Sequence, residues 1–116
     1  MKILIVDDEV DILTLFKDVL ESVGHEVDIA IDGESGLKKF RNKKYDVIVM
    51  DYRMHGKNGI DVAEEMLKMD RNTKIIFASA DSSIKEKALE MGAVGFLLKP
   101  FDIDQIIKEV EKIEKN

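Results

Sequence analysis

Apolar positions along this 116-residue chain fall into two patterns that alternate. The first is the short continuous run: Ile3-Leu4-Ile5-Val6, Val47-Ile48-Val49-Met50, Ile75-Ile76-Phe77-Ala78 and Val94-Gly95-Phe96-Leu97-Leu98. Bounded by polar residues, such runs predict strands buried on both faces. Glu26-Val27-Asp28-Ile29-Ala30 instead alternates polar with apolar, which predicts an edge strand with one wet face. The second pattern has helical spacing: Val10, Leu13, Phe16, Leu20 and Val23; Leu37 and Phe40; Ile60, Ala63 and Leu67; Ile84, Ala88 and Met91. A last stripe of Ile103, Ile106, Ile107, Val110 and Ile113 is the clearest of all.

Punctuation agrees with this division. Asp8, Asp32, the pair Ser83 and Glu86, and the pair Asp102 and Gln105 are placed to cap helix starts. Gly24 is placed to end the first helix in a left-handed conformation, and the fourth helix runs up to Gly92. Gly33 and Gly36 weaken the second helix. Five alternations of strand and helix predict an α/β, doubly wound five-stranded parallel sheet with helices on both faces, because every crossover is right-handed and covers one side.

The length suits one domain over residues 1–116, and with the last helix ending near Ile113 no output domain is expected. A content of 45% hydrophobic and 36% charged residues describes a folded, well-solvated chain rather than a disordered one. No apolar run approaches the ~18 residues that span a bilayer, and Met1-Lys2 leads into a strand without a signal-peptide layout. A cytoplasmic protein with no membrane contact is the expectation. The absence of cysteine removes disulfides and thiol chemistry, and with two histidines a zinc site is improbable. A formal net charge of -6 argues against direct DNA binding, which needs a basic footprint.

Chemistry gathers at the strand ends, where open parallel sheets bind ligands. Asp51 ends the central run, Asp7 and Asp8 end the first, Ser79 the fourth and Lys99 the fifth. Taken alone, Asp51 more often only ends a strand or caps a turn. Together, three carboxylates repel one another and raise one another's pKa unless a hard divalent cation, Mg²⁺ or Mn²⁺, sits among them. Lysine offers a phosphate a point positive charge, and serine a small donor. A carboxylate, a cation and a lysine are the parts for phosphoryl transfer, with the carboxylate able to act as nucleophile.

The segments Ile5-Val6-Asp7-Asp8, Val49-Met50-Asp51, Ala78-Ser79-Ala80 and Leu98-Lys99-Pro100-Phe101 together resemble the receiver (response-regulator) domain of two-component signalling, across the whole chain. The resemblance implies the strand order 2-1-3-4-5. It implies a stand-alone receiver that accepts a phosphoryl group on Asp51 from a sensor histidine kinase or histidine phosphotransfer protein, with Mg²⁺, and signals by phosphorylation-controlled partner binding. It makes Asp7, Asp8, Asp51 and the backbone carbonyl of Arg53 the metal ligands. Ser79 and Lys99 match the groups that contact the phosphoryl oxygens, Phe96 the aromatic switch residue, and Lys99-Pro100 a cis peptide. The expected assembly is a monomer, with weak dimerisation on phosphorylation allowed.

The chain departs from the family's commonest pattern at His55 (usually proline), Asn58 (often aspartate), Ser79 (often threonine) and Phe96 (often tyrosine). None of these removes a reacting group, although His55 loosens the loop after Asp51. The Asp102–Gln105 stretch also resembles phosphorelay intermediates that pass the group to another histidine. Two rivals come from other classes. A flavodoxin-like flavin-binding electron carrier needs a glycine- and hydroxyl-rich phosphate loop after the first strand, where this chain has Asp-Asp-Glu. An aspartyl phosphatase usually carries a cap, for which there is no room. Weak self-phosphorylation and autodephosphorylation are the only turnover expected. Arg53 and Asp81 lie two residues beyond Asp51 and Ser79, and are expected to flank the pocket mouth and tune the lifetime of the phosphoryl group.

Overall fold

The structure is a computed structural model that describes residues 1–54 and 58–115. Strands β1 (Lys2–Val6), β2 (Glu26–Ala30), β3 (Val47–Asp51), β4 (Ile75–Ser79) and β5 (Gly95–Leu98) alternate with helices α1 (Val10–Ser22), α2 (Gly33–Asn42), α3 (Gly59–Met69), α4 (Lys85–Glu90) and α5 (Ile103–Lys115). All strand pairs are parallel, in the order β2-β1-β3-β4-β5. The doubly wound sheet expected from the alternation is the fold observed. Side chains of successive strand residues point to opposite faces, so each buried strand serves two cores. Ile3, Ile5, Val47, Val49 and Ile76 meet α1 and α5 through Leu13, Phe16, Leu20, Ile106 and Val110. Leu4, Val6, Ile48, Met50 and Phe77 meet α2, α3 and α4 through Leu37, Ile60, Ala63, Met66 and Ala88.

Most of the punctuation holds. Gly24 has φ of 100° and Gly92 φ of 115°, the left-handed conformation that ends α1 and closes the turn after α4. Asp32 accepts the Ser35 N–H at 2.7 Å and caps α2, so the glycine-containing helix forms all the same. At Gly36 an added Cβ would lie 3.0 Å from a Val6 methyl, a contact that this side chain would have to yield to accommodate. Asp102 and Gln105 form a reciprocal capping box, each backbone N–H donating to the other side chain at 2.9 Å.

Other expectations fail for local reasons. Asp8 does not cap α1: the N-cap is Glu9, no side chain caps that end, and the Glu9 N–H donates to Asp7 Oδ1 at 2.9 Å. The Asp8 carboxylate lies instead with those of Asp7 and Asp51. Ser83 and Glu86 form no capping box, since Asp81 takes the Ser83 N–H at 2.9 Å and winds Ser82–Ile84 into a 3-10 turn before α4. Val10 and Ile103 open their helices and Val23 follows the end of α1; all three sit on apolar stripes but are exposed. His55, and with it the expected effect on the loop after Asp51, lies outside the described residues.

Gly59 carries a constraint that the sequence pattern did not reveal. A Cβ there would lie 2.2 Å from the Asp51 carbonyl oxygen and 3.0 Å from Tyr52 Cα, both backbone atoms that cannot swing away. The Gly59 N–H donates to the Tyr52 carbonyl at 2.7 Å, so the start of α3 rests directly on the end of β3. Gly59→Ala is therefore expected to destabilise the fold by about 1–3 kcal/mol, as overpacking does. Urea unfolding of the two proteins measures it, and an unchanged midpoint contradicts the close approach.

Candidate functional site

The carboxyl ends of β1, β3, β4 and β5 converge on one rim. Asp51 is the last residue of β3 and Asp7 follows β1; both are buried, at 6% and 5% exposure, although each is a carboxylate. Asp8 is half-buried beside them, and one carboxylate oxygen from each of the three lies within 4.8 Å of the others. Lys99, one residue past β5, reaches across β4 into the group. Its ammonium stands 3.1 Å from Asp7 Oδ2 and 3.1 Å from Asp51 Oδ1. The reach is set by backbone pairing, for the Lys99 N–H donates to the Ser79 carbonyl at 2.8 Å and ties the end of β5 to that of β4. The Lys99–Pro100 peptide is cis.

Ser79 ends β4 and is buried, and its Oγ accepts the Asp81 N–H at 3.0 Å. Phe96 is half-buried on β5 against the α2–α3–α4 core, with Phe77 as its neighbour in register. Arg53 and Asp81 meet at 3.6 Å over an exposed stretch, the Arg53 side chain being 76% accessible. The Ser83 hydroxyl and N–H hold the Asp81 carboxyl below its ordinary range, with Arg53 adding a smaller push. Two residues with no role in the sequence reading belong to the surroundings. Gly59 backs Asp51, and Glu9 stands 3.6 Å from the Lys99 ammonium at the mouth. Glu9 could have been suspected from the unbroken run Asp7-Asp8-Glu9; nothing local marked Gly59, because its neighbours come from β3.

Residues 3–111 match the family model of the response regulator receiver domain. The chain belongs to the response regulator receiver family. The chemotaxis protein CheY of Thermotoga maritima is 34% identical over 117 residues, with 98% of each chain covered. The response regulator ArlR of Staphylococcus saprophyticus is 33% identical over 111 residues, which are 94% of this chain and 50% of that protein. The receiver thus spans nearly the whole of one relative and half the length of another. Among solved structures, the response regulator TrrA from Thermotoga maritima, in complex with Mg²⁺–BeF, matches with a TM-score of 0.89 at 37% identity and 97% coverage of both chains. The receiver domain of Francisella response regulator 1452 matches with a TM-score of 0.92 at 34% identity, over 98% of this chain and 96% of that one. A signalling domain is what these relatives describe, and the flavin-carrier rival is not favoured. No helix among the described residues is long and apolar enough to cross a membrane.

The acidic cluster of this receiver fits a magnesium site. Its donors are all hard carboxylate oxygens, the set that Mg²⁺ prefers, and they are drawn together at the rim against their own repulsion. That repulsion is visible in Asp51. Burial and the neighbouring Asp7 push its carboxyl up to about 6, with Lys99 pulling the other way. Burial alone lowers the Lys99 ammonium, but Asp7 and Asp51 outweigh it and hold Lys99 above its ordinary value. The native state therefore holds the Asp51 proton more tightly than the unfolded chain, whose value is 3.8. Ionising Asp51 costs stability, and its contribution falls as pH rises through the window from 3.8 to about 6 in the absence of divalent cation. Lys99→Ala is expected to raise the Asp51 midpoint further, since it removes the cation that favours the carboxylate. Carboxyl ¹³C titration by NMR in chelator reads this directly; a lowered or unmoved midpoint counts against the pairing.

Proposed function

We propose that residues 1–116 act as a stand-alone, cytoplasmic receiver that is phosphorylated on Asp51 by a sensor histidine kinase or a histidine phosphotransfer protein and signals through a partner that reads the phosphorylated form. The observation that supports this most is the buried Asp51 carboxylate at the end of the central strand, facing the Lys99 ammonium and two further acids. In the transfer, an Asp51 carboxylate oxygen bonds to phosphorus while the P–N bond to the donor imidazole breaks. The imidazole keeps the electron pair and its nitrogen takes up a proton as needed. Asp7, Asp8, Asp51 and the Arg53 carbonyl would hold Mg²⁺, which would supply the charge neutralisation an anionic donor needs to approach.

Lys99 would exchange part of its pairing with Asp51 for a phosphoryl oxygen. Ser79 accepts from the Asp81 N–H, which leaves its own hydroxyl proton for another phosphoryl oxygen. Movement of that hydroxyl toward the phosphoryl group vacates space for the Phe96 ring, which carries the change to β5 and its flanking helices. The same chemistry gives slow self-phosphorylation from small donors and slow hydrolysis of the product. A monomer that associates weakly on phosphorylation completes the reading.

Acetyl phosphate is expected to add one phosphoryl mass to the intact protein with Mg²⁺ present and none with chelator. Asp51→Asn should remain unlabelled. Equal labelling of the wild type and that variant would overturn the assignment of Asp51.

The lifetime of the product depends on access by water. Arg53 and Asp81 are paired at 3.6 Å, and we take the pair as a partial screen over the mouth of the pocket. Arg53→Ala is the cleaner variant, because Asp81 also caps the turn at Ser82–Ile84. It should speed dephosphorylation by no more than about fivefold, since exposed ion pairs contribute about 0–1 kcal/mol. Asp81→Ala added to it should change little further. Slower hydrolysis in Arg53→Ala would mean that the guanidinium assists the reaction instead of screening it.

A further inference from the structure

The far edge of the sheet shows an arrangement that phosphoryl chemistry does not use. β2 has only β1 beside it, so half of its backbone groups face away from the sheet. Glu26 and Ala30 turn inward: the Glu26 N–H donates to the Met1 carbonyl at 2.9 Å, and the Ala30 carbonyl accepts the Asp7 N–H at 3.0 Å. Along a strand successive residues alternate in direction, so Val27 and Ile29 face the open edge. Both of their carbonyls are occupied. Lys17 of α1 donates from Nζ to the Val27 carbonyl at 3.3 Å, and Lys39 of α2 donates to the Ile29 carbonyl at 2.7 Å. α1 and α2 lie on opposite faces of the sheet, so the two ammonium groups close over the edge from both sides. Between them Asp28 holds a carboxylate at mid-strand, bonded by the Tyr45 hydroxyl at 2.6 Å and by Lys43 Nζ at 3.2 Å.

An exposed strand edge is a template for another strand, and charged side chains on it are a known means of blocking that. We propose that Lys17 and Lys39 close a strand-addition surface on β2 whose fitting partner is a second copy of this chain. The surface is self-complementary. Val27 and Ile29 are placed symmetrically about Asp28, so an antiparallel β2–β2 pair about a two-fold axis matches the N–H and C=O of Val27 in one copy with the C=O and N–H of Ile29 in the other. Such pairing must displace both lysines from their carbonyls. It also sets the two Asp28 carboxylates directly opposite each other, which like charges resist. Lysine caps and mid-strand acid thus act in the same direction, and they keep the receiver from associating through the edge that carries none of its site.

The test uses the unphosphorylated chain without any phosphodonor, so its outcome is independent of the assignment of Asp51. Sedimentation velocity over a concentration series compares the wild type with the double variant Lys17→Gln/Lys39→Gln. The double variant should self-associate roughly tenfold more tightly or better, since two released carbonyls per copy gain cross-copy hydrogen bonds. In the associated form the Val27 and Ile29 amides should become protected from hydrogen exchange. Adding Asp28→Asn should strengthen the association again, and adding Ile29→Pro to the double variant, tolerable on an edge strand, should abolish it. Unchanged self-association overturns the proposal, as does a dimer whose Val27 and Ile29 amides exchange as fast as in the monomer. The exchange measurement decides even if the proline variant fails to fold.

Discussion

The ammonium of Lys99, 3.1 Å from both Asp7 and Asp51, is the interaction on which the functional end of this receiver depends. Without it, two buried carboxylates would face each other beside Asp8, with Asp7 keeping the Glu9 N–H as a donor. Burying a charge is costly unless it is paired, and here one cation serves two anions. Among the described residues three acids and one lysine meet at this rim, and Asp51 is pushed up to about 6. Such a rim favours a divalent cation and, through it, a phosphoryl group.

Rigid supports make that balance possible. Asp51 and Ser79 end strands that are buried along their whole length, and Lys99 is fixed by a backbone hydrogen bond to Ser79. The start of α3 presses on the Asp51 carbonyl through Gly59, where no side chain fits. On the solvent side the restraints thin out: Glu9 and Arg53 are exposed, and their ion pairs are weak by nature. A firm floor under the Asp51 carboxylate and a loose rim of exchangeable charges suit the proposed transfer from a large protein donor and later hydrolysis by water.

The net charge of -6 is also unevenly used. Asp7, Asp8 and Asp51 gather at the carboxyl ends of the strands, while most other acids lie on the helices. Lys17 of α1 and Lys39 of α2 are turned to the backbone of β2, where their value lies in hydrogen bonding to carbonyls as much as in charge. The two edges of the sheet therefore differ in kind. One is closed by side chains from both faces; the other carries Phe96 and the half-exposed Leu98 close to the site.

Strand runs, helix stripes and the parallel α/β architecture were legible in the sequence, because burial on one or two faces imposes periods that any reader can count. The strand-end positions of Asp7, Asp8, Asp51, Ser79 and Lys99 were legible for the same reason, since a buried run must stop somewhere and what stops it stands at the rim. Helix starts were less so. Asp8 has a capping residue's chemistry, yet its carboxylate sits with Asp7 and Asp51, and Asp81 displaced Ser83 as the cap of the turn before α4. Local sequence offers such side chains a choice of partners, and only the surroundings decide among them. What tertiary structure alone determined is every contact between residues distant in the chain: Lys99 bridging Asp7 and Asp51, Gly59 against the Asp51 carbonyl, and Lys17 with Lys39 over β2. Periodicity reports which way a residue faces, but not what it meets there, because that depends on how the strands are ordered and on which face each crossover helix lies.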